Sequence, residues 1–576
     1  MKKLIYLFLA GILLASCTKN FDELNTDPGS FVKTAPEGIM SGVIKRTNDF
    51  MANNNTFGNW DNAFFLTQQA NRGSAADQGG MWNTFYVGVL ENLHQIIVTY
   101  GDDPGFANRV LAAKIWRSYV HSILVAQYGP IPITQANNPD FPNIIKYESE
   151  DEAYAIILND LKDAASKIDV TKDKFTYDVL FNGDMLKWKK FANTLRLRIA
   201  LQCMKNLGAT ATAHVSDVMS NETAMIASEA ETAKMNYENV INNENPYYIR
   251  YKRNAFTGVV PKLNDFTMTF LRSYKDPRIN VYYDSVAVIT DRYNVRDTLP
   301  STADDTLRVV TYPIPHMGMP KASTLLASWN LIAGLSPLNT GANSISNARA
   351  DLYAPDRPFT ILSYSETLFL KAEAAKLGLG GTQTAESYYN AGIDANFAFW
   401  KISNAQRDAY KARNGIKFGT SAKGFNNYLG IVNTDIPLDD LTKIWIQRWL
   451  NYYPDGGFDA WTLIRRTRML NFPPHTNSFP TNTGVNLPHR ALYPTTLNTL
   501  NPVGYKDALV KLGIGGAVND DNPAVALRFE APYRVTEWET VPAAYDTKFI
   551  QKWYGPTFED LKKSGVTFTI VTKYVN

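Results

Sequence analysis

Apolar side chains recur at three- and four-residue spacing over several long stretches of this chain, and clusters rich in glycine, proline and aspartate divide those stretches into neighbours. That spacing puts them on one face of an α-helix, so the chain must bury helix faces on one another. Residues 82–100 and 105–128 are joined by Gly101-Asp102-Asp103-Pro104-Gly105. A second pair begins at Ser149-x-x-Glu152, a capping box that satisfies two orphan amides, with Tyr154, Ile157, Leu158 and Leu161 on one face. Its partner, 184–206, carries Trp188, Phe191, Leu195 and Ile199 on a stripe, with Arg196 and Arg198 expected to its sides. The third pair, 361–377 and 383–399, has a second box at Ser363-x-x-Glu366 and a glycine-rich turn at 378–381. The fourth runs from Pro437 through Trp445 and Trp449 to Tyr453, then resumes at Phe458 after Pro454-Asp455-Gly456-Gly457 and ends near Leu470.

The expected fold is therefore mostly α: a tetratricopeptide-like helix-pair scaffold with long irregular loop insertions and minor short β. The pairs lie near 82–128, 149–206, 361–399 and 437–470, and stacked pairs would bury their faces in sequence. They are not contiguous, and the 34-residue repeat consensus is absent. Loop excursions at 207–260 and 315–350 are long enough to read as functional. Weak strand alternation appears near 281–295, 306–314 and 566–575.

Lys2 and Lys3 precede a short apolar run that ends in Leu14-Ala15-Ser16-Cys17. Twelve apolar residues reach roughly 18 Å as a helix, short of the ~30 Å hydrocarbon core of a bilayer, so the segment reads as a signal peptide over 1–16. Its exit matches a bacterial lipobox, which implies that Cys17 becomes the first residue and is lipidated. Several acyl chains at ~0.8 kcal/mol per buried CH₂ hold a soluble domain on a membrane. Residues 17–576 are then expected to form one domain held by that lipid anchor only. The other cysteine, Cys203, has no partner for an internal disulfide.

Net charge is +3 on 576 residues, which offers no general cationic field and argues against nucleic acid as a partner. The six histidines (His94, His121, His214, His316, His475 and His489) form no zinc-binding spacing. A nucleophile elbow and a phosphate loop are absent. Acidic doublets such as Asp304-Asp305 lack EF-hand spacing, so no metal or cofactor is expected, with a structural calcium the one case left open. The pattern points to binding and away from catalysis.

Several segments resemble the SusD/RagB family of outer-membrane nutrient-binding lipoproteins. They are the run from Cys17 to Pro28, Gln127-Tyr128-Gly129-Pro130-Ile131-Pro132, residues 188–198, Asp276-Pro277-Arg278, Ser363-Tyr364-Ser365-Glu366 through Ala375, residues 461–466, Tyr493-Pro494 and Asn501-Pro502. The resemblance implies a SusD-like α domain at the cell outer membrane facing the exterior. It also implies an oligosaccharide ligand and a TonB-dependent, SusC-like transporter as partner in carbohydrate uptake, with no bond broken. Peptide capture, as in the RagB branch, is the alternative, and a hydrolase on the same scaffold is a third reading.

A sugar ring offers a face of C–H bonds that packs on an aromatic ring, while its hydroxyls need amides and charges around the rim. Exposed aromatics in polar surroundings, off the helix stripes, are therefore the candidates. Trp329, Trp82, Trp60, Tyr283 and Tyr86 fit as platforms, with Asn330, Asn83, Arg72 and Asn59 as rim groups. Trp188, Trp445 and Trp449 read as core, and Trp116, Trp400 and Trp461 as scaffold.

Overall fold

The computed structural model describes residues 35–67, 80–141, 144–254, 260–285, 292–293, 316, 346–420, 438–470, 489–513, 527–530 and 570–571. Cys17, Arg72, Trp329, Asn330 and the strand expected at 306–314 lie outside them, as does most of the 315–350 excursion.

The main helices are α1 (Pro36–Asn54), α2 (Glu91–Tyr100), α3 (Ala107–Tyr128), α4 (Glu150–Lys167), α5 (Met185–Gln202), α6 (Ala209–Met219), α7 (Tyr364–Lys376), α8 (Ala385–Phe399), α9 (Asp440–Asn451), α10 (Gly457–Thr467) and α11 (Pro502–Lys511). Packing follows the chain: α2 on α3, α3 on α4, α4 on α5, α6 on α5, then α7 on α8 and α9. The mostly helical fold and its pairs are as expected.

At α4 the Ser149 hydroxyl accepts the Glu152 amide at 3.3 Å and the Glu152 carboxylate accepts the Ser149 amide at 2.8 Å. Such a cap stabilises a helix by ~1 kcal/mol. In the third pair, Gly392 of α8 lets the helices close up, since a Cβ there would sit 2.5 Å from a Phe369 ring carbon.

Three expectations are corrected. The 207–260 excursion is not all loop: it holds α6, packed on α5, and a strand, β2 (Ala233–Met235), paired antiparallel with β5 (Phe359–Leu362). Short antiparallel pairs also join β1 (Leu66–Thr67) to β3 (Lys262–Leu263) and β4 (Arg292–Tyr293) to β6 (Ile570–Val571). Arg196 and Arg198 are not lateral but buried, because each finds acid: Arg196 meets Asp217 and His214, and Arg198 meets Glu366. Ser363 caps α7 by accepting the Glu366 amide at 3.1 Å, but the box stays half made, because the Glu366 carboxylate turns to Arg198.

That pair opens a chain of buried charges. Arg198 Nε donates to Glu366 at 2.8 Å, and Tyr452 OH donates to the same carboxylate at 2.7 Å while accepting from Arg448 at 2.8 Å. Arg448 reaches Glu373 at 3.1 Å, and Arg466 binds the other Glu373 oxygen at 2.7 Å. The chain thus ties α5, α7, α9 and α10 together. Burial alone would lower the Arg198 pKa, but Asp459 and Glu366 outweigh it and drive it upward.

Two resemblance segments also meet elsewhere. Tyr493 OH donates to Pro130 O at 2.6 Å, and Tyr86 OH donates to Pro132 O at 2.8 Å. From the C-terminal region, residues 527–530 reach the same body. Glu530 lies against His489, Arg468 and Arg465, and although burial would raise its pKa, these neighbours hold it down at about 2.

Glu373→Gln leaves two buried guanidiniums short of their shared carboxylate and should cost ~3–5 kcal/mol. A urea titration should show it as a lowered midpoint at unchanged slope. His121, buried in α3, has its pKa lowered by burial and then by Arg117 to about 3. The unfolded chain takes up that proton near pH 6.5 and the folded chain does not, so stability is lost as pH falls below 6.5. Relative to His121→Gln, the native chain should lose about 2 kcal/mol between pH 7 and pH 5, read from paired denaturation curves.

Candidate ligand-binding cleft

Helix α8 ends in a Schellman turn: Ile402 N–H bonds Phe397 O at 2.9 Å and Lys401 N–H bonds Ala398 O at 3.0 Å. Lys401 takes the left-handed position at φ 56°, where a side chain costs roughly 1–2 kcal/mol. Ile402 is buried at the turn, while Phe399 keeps 43% of its area exposed and Trp400 is partly buried, packed against the core. Among the described tryptophans, Trp400 is the one that is not buried.

Trp400 stands where two hollows meet. An outer depression of about 380 Å³ is bordered by Tyr282, Arg349, Asp351, Asp356 and Pro358, and an inner crevice of about 40 Å³ runs to Ser363, Ser365, Asn396 and Asn451. Arg357, Trp400, Tyr453 and Pro454 line both. The outer volume lies within the usual range for small-ligand pockets, roughly 300–1,000 Å³.

Behind Trp400 the rings run inward. Tyr282 packs edge-on against it at 4.8 Å, Tyr453 stacks on Tyr282 at 4.3 Å, and Phe65 meets Tyr453 at 5.6 Å. Hydroxyls fix the stack: Tyr453 OH donates to Tyr282 O at 3.0 Å and Tyr282 OH to Leu450 O at 3.0 Å. Burial raises the pKa of Tyr282 and Tyr453 above 10, so both keep their protons at ordinary pH.

The other wall is held by Asp455. Both its oxygens accept from Arg357 at 2.9 Å, and one accepts the Thr360 amide at 2.9 Å. Burial would lower the Arg357 pKa, but Asp455 reverses that and the net shift is upward. Arg349 is held more loosely, at 3.4 Å from Asp351 and 3.3 Å from the Asn280 carbonyl.

The platforms expected from sequence fall differently. Trp60 has no exposed surface: its indole N–H donates to Pro454 O at 2.6 Å, pinning the cleft wall from behind. Tyr283 is 1% exposed, with its hydroxyl on Phe65 O at 3.1 Å and its ring 5.3 Å from Tyr453. Asn59 is buried beside Gly457. These three are thus brought together behind the cleft, but none offers a surface to a ligand. Trp82 and Tyr86 sit in a separate buried cluster, where Trp82 packs against Tyr128, Tyr147 and Tyr493. The expectation that these four rings are open platforms is corrected by their burial. Asn83 is exposed near that second cluster.

The sequence alone does not pick out Trp400 as the tryptophan that is not buried. Ile393, Phe397 and Trp400 continue one helical stripe, which made Trp400 look like scaffold. The signal was Phe399, two residues beyond Phe397 and off that stripe, marking a helix end with an aromatic surface.

Residues 20–494 match the family SusD-like_2, described as starch-binding and associating with the outer membrane. A search of curated protein sequences found no match. Solved structures share the fold. A chitin-binding protein aligns at TM-score 0.67 and 20% identity over 86% of this chain and 100% of its own. A chitin-binding SusD homolog from Flavobacterium johnsoniae aligns at 0.66 and 18%, over 86% and 99%. A SusD homolog from Bacteroides uniformis gives 0.64 and 19%, over 87% and 100%.

Asp455→Ala should remove the Arg357 and Thr360 tethers and cost ~3–5 kcal/mol. Hydrogen exchange should speed up at the amides of β5, with α4 unaffected; uniform exchange across both would contradict a local latch.

Proposed function

The chain belongs to the SusD-like family of proteins described as starch-binding and associating with the outer membrane, and we propose that it captures oligosaccharides at the Trp400 cleft and passes them intact to a TonB-dependent, SusC-like transporter. The observation that carries this reading is Trp400 itself, a partly exposed aromatic ring at the junction of two hollows. A sugar's C–H face can pack on such a ring and release water, and the surrounding amides, hydroxyls and charges can meet its hydroxyls. The rings behind Trp400 are hydrogen-bonded in place, so ordering the platform costs little at the moment of binding. Two structural neighbours are described as chitin-binding, which is consistent with a glycan.

The remaining parts come from the sequence. Lipidation of Cys17 would hold residues 17–576 on the membrane as one domain, and among the described residues no helix is long and apolar enough to cross it. Capture without cleavage is the expected chemistry. Incubation with the bound polysaccharide should leave its chain length unchanged by mass spectrometry, and shortened products would favour a hydrolase. The segment with Trp329 and Asn330 is proposed, on its sequence, as a second contact.

A glycan array should identify a ligand. Trp400→Ala should then weaken its binding roughly thirtyfold, or about 2 kcal/mol, with a thermal midpoint shift of no more than about 5 °C. Calorimetry returning an unchanged Kd would remove Trp400 from the site, and an array with no bound glycan would remove the function.

A further inference from the structure

The inner crevice has a chemistry distinct from the outer depression, and that difference bears on which sugar the cleft accepts. Its polar groups form a ring closed by the Ser363 and Ser365 hydroxyls, 3.1 Å apart. Ser365 Oγ and Asn396 Nδ2 both donate to Asn451 Oδ1, the latter at 2.9 Å. Asn451 Nδ2 donates to Ser363 Oγ at 3.1 Å, and Ser363 Oγ also accepts the Glu366 amide at 3.1 Å. One hydrogen of the Asn451 amide nitrogen has no protein acceptor among the described residues, and Asn451 lines the crevice. The crevice is also lined by the apolar side chains of Ile361, Phe399 and Trp400.

The charged groups at the crevice are all committed. Arg357 is held by both oxygens of Asp455, and Glu366 is bound by Arg198 and Tyr452. A charged substituent entering here would lose its water and, among the described residues, find no free counter-charge. A neutral group with one hydrogen-bond acceptor and a small apolar end meets the opposite situation.

Size narrows the choice further. A cavity needs roughly 10–15 Å³ to hold one water, so about 40 Å³ takes a few such groups and no second sugar ring. We propose, resting on the glycan reading above, that the crevice receives the acetamido group of an N-acetylated amino sugar whose ring lies on Trp400. Its carbonyl would accept from Asn451 and its methyl would face Ile361 and Phe399. Asn451 and the apolar wall are then specificity-determining, whereas Trp400 supplies affinity common to many sugars.

Three tetrasaccharides with the same β-1,4 linkage test this by calorimetry on the full-length protein: tetra-N-acetylchitotetraose, its fully deacetylated form and cellotetraose. The acetylated form should bind at least tenfold tighter than either of the others. Asn451→Asp, which withdraws the amide donor and adds a charge, should bring that ratio below about threefold. Ser365→Ala, a milder change in the same ring, should lower the ratio in the same direction. Equal affinities for the three sugars, or tighter binding of the deacetylated form, would overturn the acetamido assignment while leaving capture at Trp400 intact. So would failure of all three sugars to bind when the array shows a glycan without N-acetyl groups. Only failure of every glycan, on the array as well, would reach the underlying reading.

Discussion

Five charged side chains buried in a row hold this molecule together: Arg198, Glu366, Arg448, Glu373 and Arg466. Desolvating them separately would cost several kcal/mol each, and the cost is met only when α5, α7, α9 and α10 dock at once. Apolar faces alone would tolerate sliding of one helix along another. A carboxylate that must meet two guanidiniums does not, so the row sets the register between helices that are far apart in sequence.

The cleft inherits that register. Ser363, which caps α7, stands three residues from Glu366, and Asn451, which ends α9, stands three residues from Arg448. The crevice walls are thus the ends of the helices that the charges align. Trp400, at the end of α8, is then placed against Tyr282 and Tyr453. Trp60 and Asp455 complete the arrangement by fixing the backbone at Pro454 and the arm at Arg357 from the side away from solvent. On the proposed reading, a ligand would meet a surface whose shape is set before it arrives, which favours affinity through low ordering cost.

Much of this fold is legible in the order of its residues. Ser149 and Glu152 announce α4, and the Tyr154, Ile157, Leu158 and Leu161 face is buried as its period demands. Periodicity tells which face of α5 turns inward, but not that Arg198 would find Glu366 across 168 residues of chain. Polar neighbours misled at Trp60. Asn59, Asp61 and Asn62 look like surface companions, yet all three are themselves buried, so the string is a polar stretch of core. Tyr283 misled similarly, because the hydroxyl that suggests solvent is satisfied by the Phe65 carbonyl. Trp400 was overlooked because a helix stripe does not reveal where the helix stops. Its last turn can carry an aromatic onto the surface without breaking the pattern.

On the proposed reading, a sugar ring lies on Trp400. A crystal structure of the protein with its best array ligand tests that most directly. Capture at this cleft requires a pyranose ring packed on the Trp400 indole at about 4 Å, the ordinary van der Waals separation, with the glycan chain unbroken. Electron density for the glycan on another surface, with the Trp400 cleft bare, would contradict it.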